Sequence, residues 1–217
     1  MALKPSDWSA VVIGRWNRAI LTPRGIAQRV FRLPEGTPIQ VLVPIDAVGM
    51  NSVIVKHGEF QATVDDSRLQ IHLEHGNFDA LERAMVLADA AIDSLPVTPF
   101  SAVGFNIRYI ESEAQESLQK ILTYEAFDER LAERFTITAR SYQRSVDFQN
   151  GKINISISRD SDGDYVVQLN FDRTSTDVPE LRQWLQMQIE DVREEATWLI
   201  GEFMGLEIEE DANAEVE

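Results

Sequence analysis

Cysteine is absent from all 217 residues. That absence excludes disulfides, thiolate metal sites, iron–sulfur ligation and thiol nucleophiles together. No apolar run approaches the roughly 18 residues that a membrane span requires. The opening Met-Ala-Leu-Lys-Pro-Ser-Asp lacks the apolar stretch of a signal peptide. Basic residues are scarce: 20 Lys and Arg face 36 Asp and Glu, a net charge of −16. Phosphate binding rests on clustered cations and counterion release, so this balance argues against general nucleic-acid binding. Nor does the chain contain a Gly-x-Ser-x-Gly elbow, a Walker-type glycine loop, a dinucleotide fingerprint or His-Glu-x-x-His. These absences lead to an expectation of a bacterial-type, cytoplasmic protein with no cofactor and no metal site, and they lean away from an enzyme without deciding the point.

What charge there is lies unevenly. Residues 1–32 carry Lys4, Arg15, Arg18, Arg24, Arg29 and Arg32 against Asp7 alone, a net of +5, while the other 185 residues hold 14 basic and 35 acidic side chains, a net of −21. Residues 176–217 hold 13 acids against Arg182 and Arg193. Like charge deters partners and opposite charge recruits them. Arg15, Trp16, Arg18 and Arg24 therefore form the strongest candidate for a ligand or partner surface, since a guanidinium fork donates two hydrogen bonds to a carboxylate or phosphate. The simpler expectation is that these arginines match acidic groups within the protein or its oligomer.

The apolar pattern predicts an α+β protein of two units, each an antiparallel β-meander covered by amphipathic helices, spanning residues 1–111 and 112–205, with an acidic disordered tail over 206–217. In the first unit Ala10–Trp16 reads as a strand. Thr22-Pro23 supplies a capping hydroxyl and a proline for a short helix reaching about Phe31. The alternating run Ile39, Val41, Val43, Ile45 follows Pro38 and contains Pro44, which suits an edge or an irregular end. Short strands near 52–56, 59–64 and 68–73 follow, with turns at His57-Gly58 and Asp65-Asp66-Ser67. Asn77 caps a helix to about Leu95, whose Leu81, Met85, Ala88, Ile92 and Leu95 stripe faces a core. Val103, Phe105, Ile107 and Tyr109 then alternate along a closing strand.

In the second unit a helical segment over 112–134, broken near Tyr124, precedes three strands. The pair Asn150-Gly151 suits the centre of a two-residue hairpin, and Asp162-Gly163 the next turn. Ile153, Ile155 and Ile157 form one apolar face. From Val178 to about Met204 a single long helix is expected, with Leu185, Ile189, Val192, Ala196, Leu199 and Phe203 as a seam over that face. Trp184 and Trp198 flank the seam, at the core edge or at a partner surface.

Two acidic or histidine-bearing motifs are weak. On a strand His72 and Glu74 share a face and could offer two metal ligands, but no third ligand completes a recognised spacing, so both belong to the solvated side. Asp160-Ser161-Asp162-Gly163-Asp164 has its glycine in the wrong place for a calcium loop. Asp65, Asp66 and Asp147 read as solvated carboxylates. The function expected is a non-enzymatic protein-binding or assembly subunit, working with a protein partner or as a homodimer; one version is an acidic chaperone or immunity-like inhibitor of a basic partner. The alternative is an enzyme or ligand-binding protein holding an anionic small molecule through the N-terminal arginines, with His72 and Glu74 nearby.

Overall fold

A computed structural model describes residues 2–43, 53–112, 115–159 and 163–209. Ten strands are present among them: β1 (Lys4–Pro5), β2 (Ser9–Gly14), β3 (Gln40–Leu42), β4 (Ile54–His57), β5 (Phe60–Val64), β6 (Arg68–Leu73), β7 (Phe100–Glu111), β8 (Ser141–Phe148), β9 (Gly151–Arg159) and β10 (Tyr165–Thr174). Six α-helices accompany them: α1 (Pro23–Arg29), α2 (Phe78–Ser94), α3 (Glu116–Leu122), α4 (Glu125–Ala132), α5 (Val178–Leu185) and α6 (Ile189–Thr197). The mixed α+β class is as expected. All ten strands lie in one antiparallel sheet, ordered β3-β4-β5-β6-β2-β7-β10-β9-β8, with β1 also paired to β7.

The sheet is continuous because β7 has partners on both flanks. Its residues pair with β2 on one side and, in a ten-residue register from Tyr165↔Glu111 to Thr174↔Ala102, with β10 on the other. Period-2 alternation then sends Val103, Phe105, Ile107 and Tyr109 to one face, each at most 1% exposed, and Asn106 and Arg108 to the other. The apolar faces of β2, β6, β9 and β10 lie on the same side, and one buried cluster joins them to α1, α2, α3, α5 and α6.

Local chemistry explains the helices. Thr22 accepts from Gly25 N at 3.2 Å with Pro23 opening α1, and Asn77 Oδ1 accepts from Ala80 N at 2.7 Å at the start of α2. Each cap satisfies an amide that the helix itself leaves unpaired. The α2 stripe Leu81, Met85, Ala88 and Ile92 is buried as its spacing requires. Charge then clasps α2 to the C-terminal helices. Arg182 on α5 forks onto both oxygens of Asp89 at 2.7 and 3.1 Å and reaches Asp93 at 3.1 Å, while Arg193 on α6 meets Asp79 at 3.0 Å.

Two local expectations are corrected. The C-terminal helix is not continuous: α5 ends at Leu185, α6 starts at Ile189, and a π-helical turn covers Trp198–Phe203. The break lets Leu185 and Ile189 both reach the core, and Val192, Ala196 and Leu199 remain buried, whereas Phe203 is half exposed. The first hairpin of the second half is shifted by one residue. Phe148 pairs with Gly151, so Gln149-Asn150 forms the turn, and Gln149 takes the positive φ, 48°. Gly151 is needed for packing instead: a Cβ there would lie 2.5 Å from the Asp172 carbonyl oxygen and 2.6 Å from the Trp184 ring. The second hairpin turn at Asp162-Gly163 lies partly outside the described residues; Gly163 itself has φ 96°.

At the C-terminal end the packed chain continues past Gly205. Leu206 is buried, Leu3 N donates to Glu207 O at 2.7 Å, and Glu209 N donates to Leu3 O at 2.9 Å. Residues 210–217 lie outside the described residues. Truncation after Gly205, which removes Leu206 and the two backbone bonds to Leu3, is accordingly expected to lower the melting temperature. Leu206→Ala should cost about 2–4 kcal/mol in chemical denaturation. Gly151→Ala should cost about 1–3 kcal/mol by overpacking against Trp184, measured the same way.

Candidate functional site

The face of the sheet opposite the core is polar and is organised by hydrogen bonds between side chains that cross the strands. Ser145 on β8 donates to Asn154 Oδ1 at 2.6 Å, Asn154 donates to Asn170 at 2.9 Å, Asn170 to Asn106 at 2.9 Å, and Asn106 to Ser9 Oγ at 3.2 Å. Gln70 on β6 also donates to Ser9, at 3.1 Å. The row crosses five strands because Ser145, Asn154, Asn170, Asn106 and Ser9 stand directly opposite one another in register, and Gln70 extends it diagonally to β6. All its amides from Asn154 to Ser9 point the same way, and such chains polarise mutually. Beside the row a shallow trough of about 510 Å³ is lined by Gln143, Ser156, Gln168 and Asn106. It offers neutral donors and acceptors.

Next to this row stands Asp7. Between β1 and β2 the chain takes four steps from Pro5 to Ser9 while β7 takes three from Tyr109 to Asn106, so one extra residue is inserted. Asp7, with φ 55°, takes the left-handed conformation of such a bulge. Its carboxylate accepts from His72 Nδ1 at 2.8 Å and lies 3.7 Å from Arg108 Nη1. The hydrogen bond from His72 holds the Asp7 carboxyl below its ordinary pKa, against the opposing effect of desolvation.

A carboxylate–imidazole pair supplies two of the three members of a nucleophilic triad, and Ser9 stands opposite His72 in register. Ser9 is 1% exposed, however, and its hydroxyl oxygen is occupied by Asn106 and Gln70. The nucleophile is thus buried beneath the site. Among the described residues no group of three or more His, Asp or Glu side chains is placed to hold a metal. His72 pairs with Asp7 and Glu74 with Lys56 at 2.9 Å, while His57 faces the Phe31 ring. Asp65 is a turn acceptor for Ser67 and Arg68, and Asp66 offers its carbonyl to Trp16 N.

The N-terminal arginines are spread out. Arg15 is exposed, Arg18 borders a depression floored by Leu21, Ile26 and Val64, Arg24 pairs with Glu35, and Arg32 reaches Asp93 at 3.5 Å. Trp16 is buried, its indole donating to Val12 O at 3.3 Å. Trp184 is 2% exposed within a cluster with Phe105 and Phe148. Trp198 is 52% exposed and stacks on Phe203, itself 50% exposed.

The surface that inspection of the motifs missed is made by α4 and β8. No residue of α4 is buried, yet Tyr124, Phe127, Leu131 and Phe135 recur at helical spacing and are each at least 45% exposed. Arg140, entering β8, bonds Asp128 on α4 at 2.8 Å and ties this stripe to the sheet edge. The edge itself is open: six of the eight β8 residues are exposed and the other two are half-buried. The segment 115–148 carries six acids and five bases, nearly neutral within a chain of net charge −16. The apolar periodicity of α4 was available beforehand; that nothing would cover it was not. No helix among the described residues is long and apolar enough to cross a membrane.

Comparison with protein families, with curated proteins and with solved structures finds no significant match to this chain.

The depressed Asp7 pKa gives a pH prediction. A carboxyl with a lowered folded pKa contributes stability that is present above its unfolded value and is lost as pH falls through the folded one. Replacing it as Asp7→Asn should therefore flatten the acid limb of the stability–pH curve, with the difference from wild type vanishing at the lowest pH. Urea midpoints across the acid range would read this out.

Proposed function

We propose that the protein is a non-enzymatic protein-binding or assembly subunit, cytoplasmic, whose contact surface is the open β8 edge and the neighbouring α4 stripe. The observation that carries this reading is an unpaired eight-residue edge strand beside four large apolar side chains left in water. An edge of this length presents backbone N–H and C=O groups able to pair with another chain, and exposed apolar patches of this kind mark interaction sites. Residues 1–111 and 112–205 are the two α+β units of this subunit, sharing the sheet across β7 and β10. Net charge of −16 favours a basic partner and makes the encounter sensitive to salt. An acidic chaperone or an immunity-like inhibitor is one form of this activity.

The ligand-binding alternative, an anionic small molecule held by Arg15, Arg18 and Arg24, is less well supported, because Arg24 is already matched by Glu35 and these side chains line no common pocket among those described. The polar trough beside Asn106 is uncharged apart from Arg144 at its border.

The test is the double variant Phe127→Glu, Leu131→Glu. Neither side chain supports the core, so the melting temperature should stay at its wild-type value while a partner co-purified at stoichiometric amounts from native cells is lost. Retention of that partner by the variant, or a wild-type protein that never carries one and never self-associates, would contradict the reading.

A further inference from the structure

The two edges of the sheet are treated differently. At one end β3 has three residues, follows Pro38 closely and precedes Pro44, features that keep an edge from pairing. At the other end β8 has eight residues, no proline, and a register with β9 that runs unbroken from Ser141↔Ser158 to Phe148↔Gly151. Its charge also departs from the acidic balance of the whole chain: residues 140–152 hold Arg140, Arg144 and Lys152 against Asp147. Acidic self-repulsion is therefore weak along this edge.

Building on the assembly reading, we propose that the occupant of β8 is the β8 strand of a second copy, paired antiparallel about a two-fold axis through Ser145. Geometry narrows the register. Facing residues in an antiparallel pair point to the same side. A two-fold axis perpendicular to the sheet preserves the faces, so each residue must meet one of its own parity and the axis must pass through a residue position. Axes at residue 144 or at residue 145 give the longest overlap, seven residues within β8. The first sets Arg144 against its own copy, and like charges directly opposite are unfavourable. The second pairs Tyr142 with Phe148 twice on the helix side and Gln143 with Asp147 twice on the polar side, with Ser145 at the axis. Aromatic pairs and an amide donating to a carboxylate are favourable across strands.

The dimer is isologous and closed. It joins the two sheets and places both sets of helices on one side. One contact must be replaced when it forms, since in the single chain the Arg144 guanidinium lies over the Tyr142 ring and donates to the Gln143 carbonyl at 2.7 Å.

A chain without cysteine makes the register directly testable. Across an antiparallel pair the axial residues have Cα atoms about 4.5–5.5 Å apart, inside the range of about 4.4–6.8 Å that a disulfide spans. With oxidised glutathione as electron acceptor, purified full-length Ser145→Cys should form an intermolecular disulfide far faster than Arg144→Cys or the exposed loop control Val97→Cys. Wild type should sediment as a dimer across a concentration series, and Ser145→Lys should raise its Kd by about fivefold or more while the variant still melts cooperatively. Three results would overturn the proposal: preferential linkage in the Arg144→Cys variant, equal linkage in all three variants, or a wild-type monomer. A monomer that binds another protein through β8 would refute self-pairing alone. A monomer that binds nothing would remove the assembly reading as well.

Discussion

Everything in this fold depends on β7 being paired along both edges while carrying opposite chemistry on its two faces. Phe105 stacks on Phe171 of β10 at 4.8 Å and lies beside Trp184 of α5, while one residue further Asn106 accepts from Asn170 and donates to Ser9. Helices must gather where the aromatic side chains emerge, because an apolar sheet face exposed to water is unstable without a cover. Five of the six helices do so. Arg182 and Arg193 then fasten α5 and α6 to α2, so the layer above the sheet is closed by packing and charge together.

The other face is settled by a different balance. Half-buried amides and hydroxyls cost free energy unless they are bonded, and the row from Ser145 to Ser9 satisfies them by using the strand register itself as its spacing. That arrangement makes the row hydrophilic with neutral groups and occupies the Ser9 hydroxyl, which stands opposite His72 in register. Asp7, His72 and Arg108 gather beside that row, at the bulge between β1 and β2.

Apolar side chains that the core leaves uncovered lie elsewhere. α4 has apolar residues on one stripe and no buried residue, and among the described residues no strand pairs with the outer flank of β8. The two are joined through Arg140 and Asp128, so an edge-pairing partner would meet backbone and apolar groups together. Exposed Trp198 and Phe203 form a second, smaller patch on the C-terminal π-turn.

The period of the apolar residues and the chemistry of the caps determined most local elements. The Leu81–Ile92 stripe, the alternation of Val103 to Tyr109, the isoleucine face of β9 and the edge position of β3 were all legible in the residues, because side-chain periodicity follows directly from backbone geometry. Surface or core status was legible where a residue had close sequence neighbours of the same face. Tertiary structure decided the rest. Continuity of the single sheet rests on β7 pairing with β10 some sixty residues away, and no local pattern encodes that choice. Gly151 looked like a turn residue, yet its role comes from the approach of Trp184, more than thirty positions along the chain. Likewise the bulge at Asp7, the burial of Trp184 against the exposure of Trp198, and the open flank of β8 arise from which elements finally stand side by side. Exposure belongs to the assembled surface, so the candidate partner site emerged only once the sheet had been ordered.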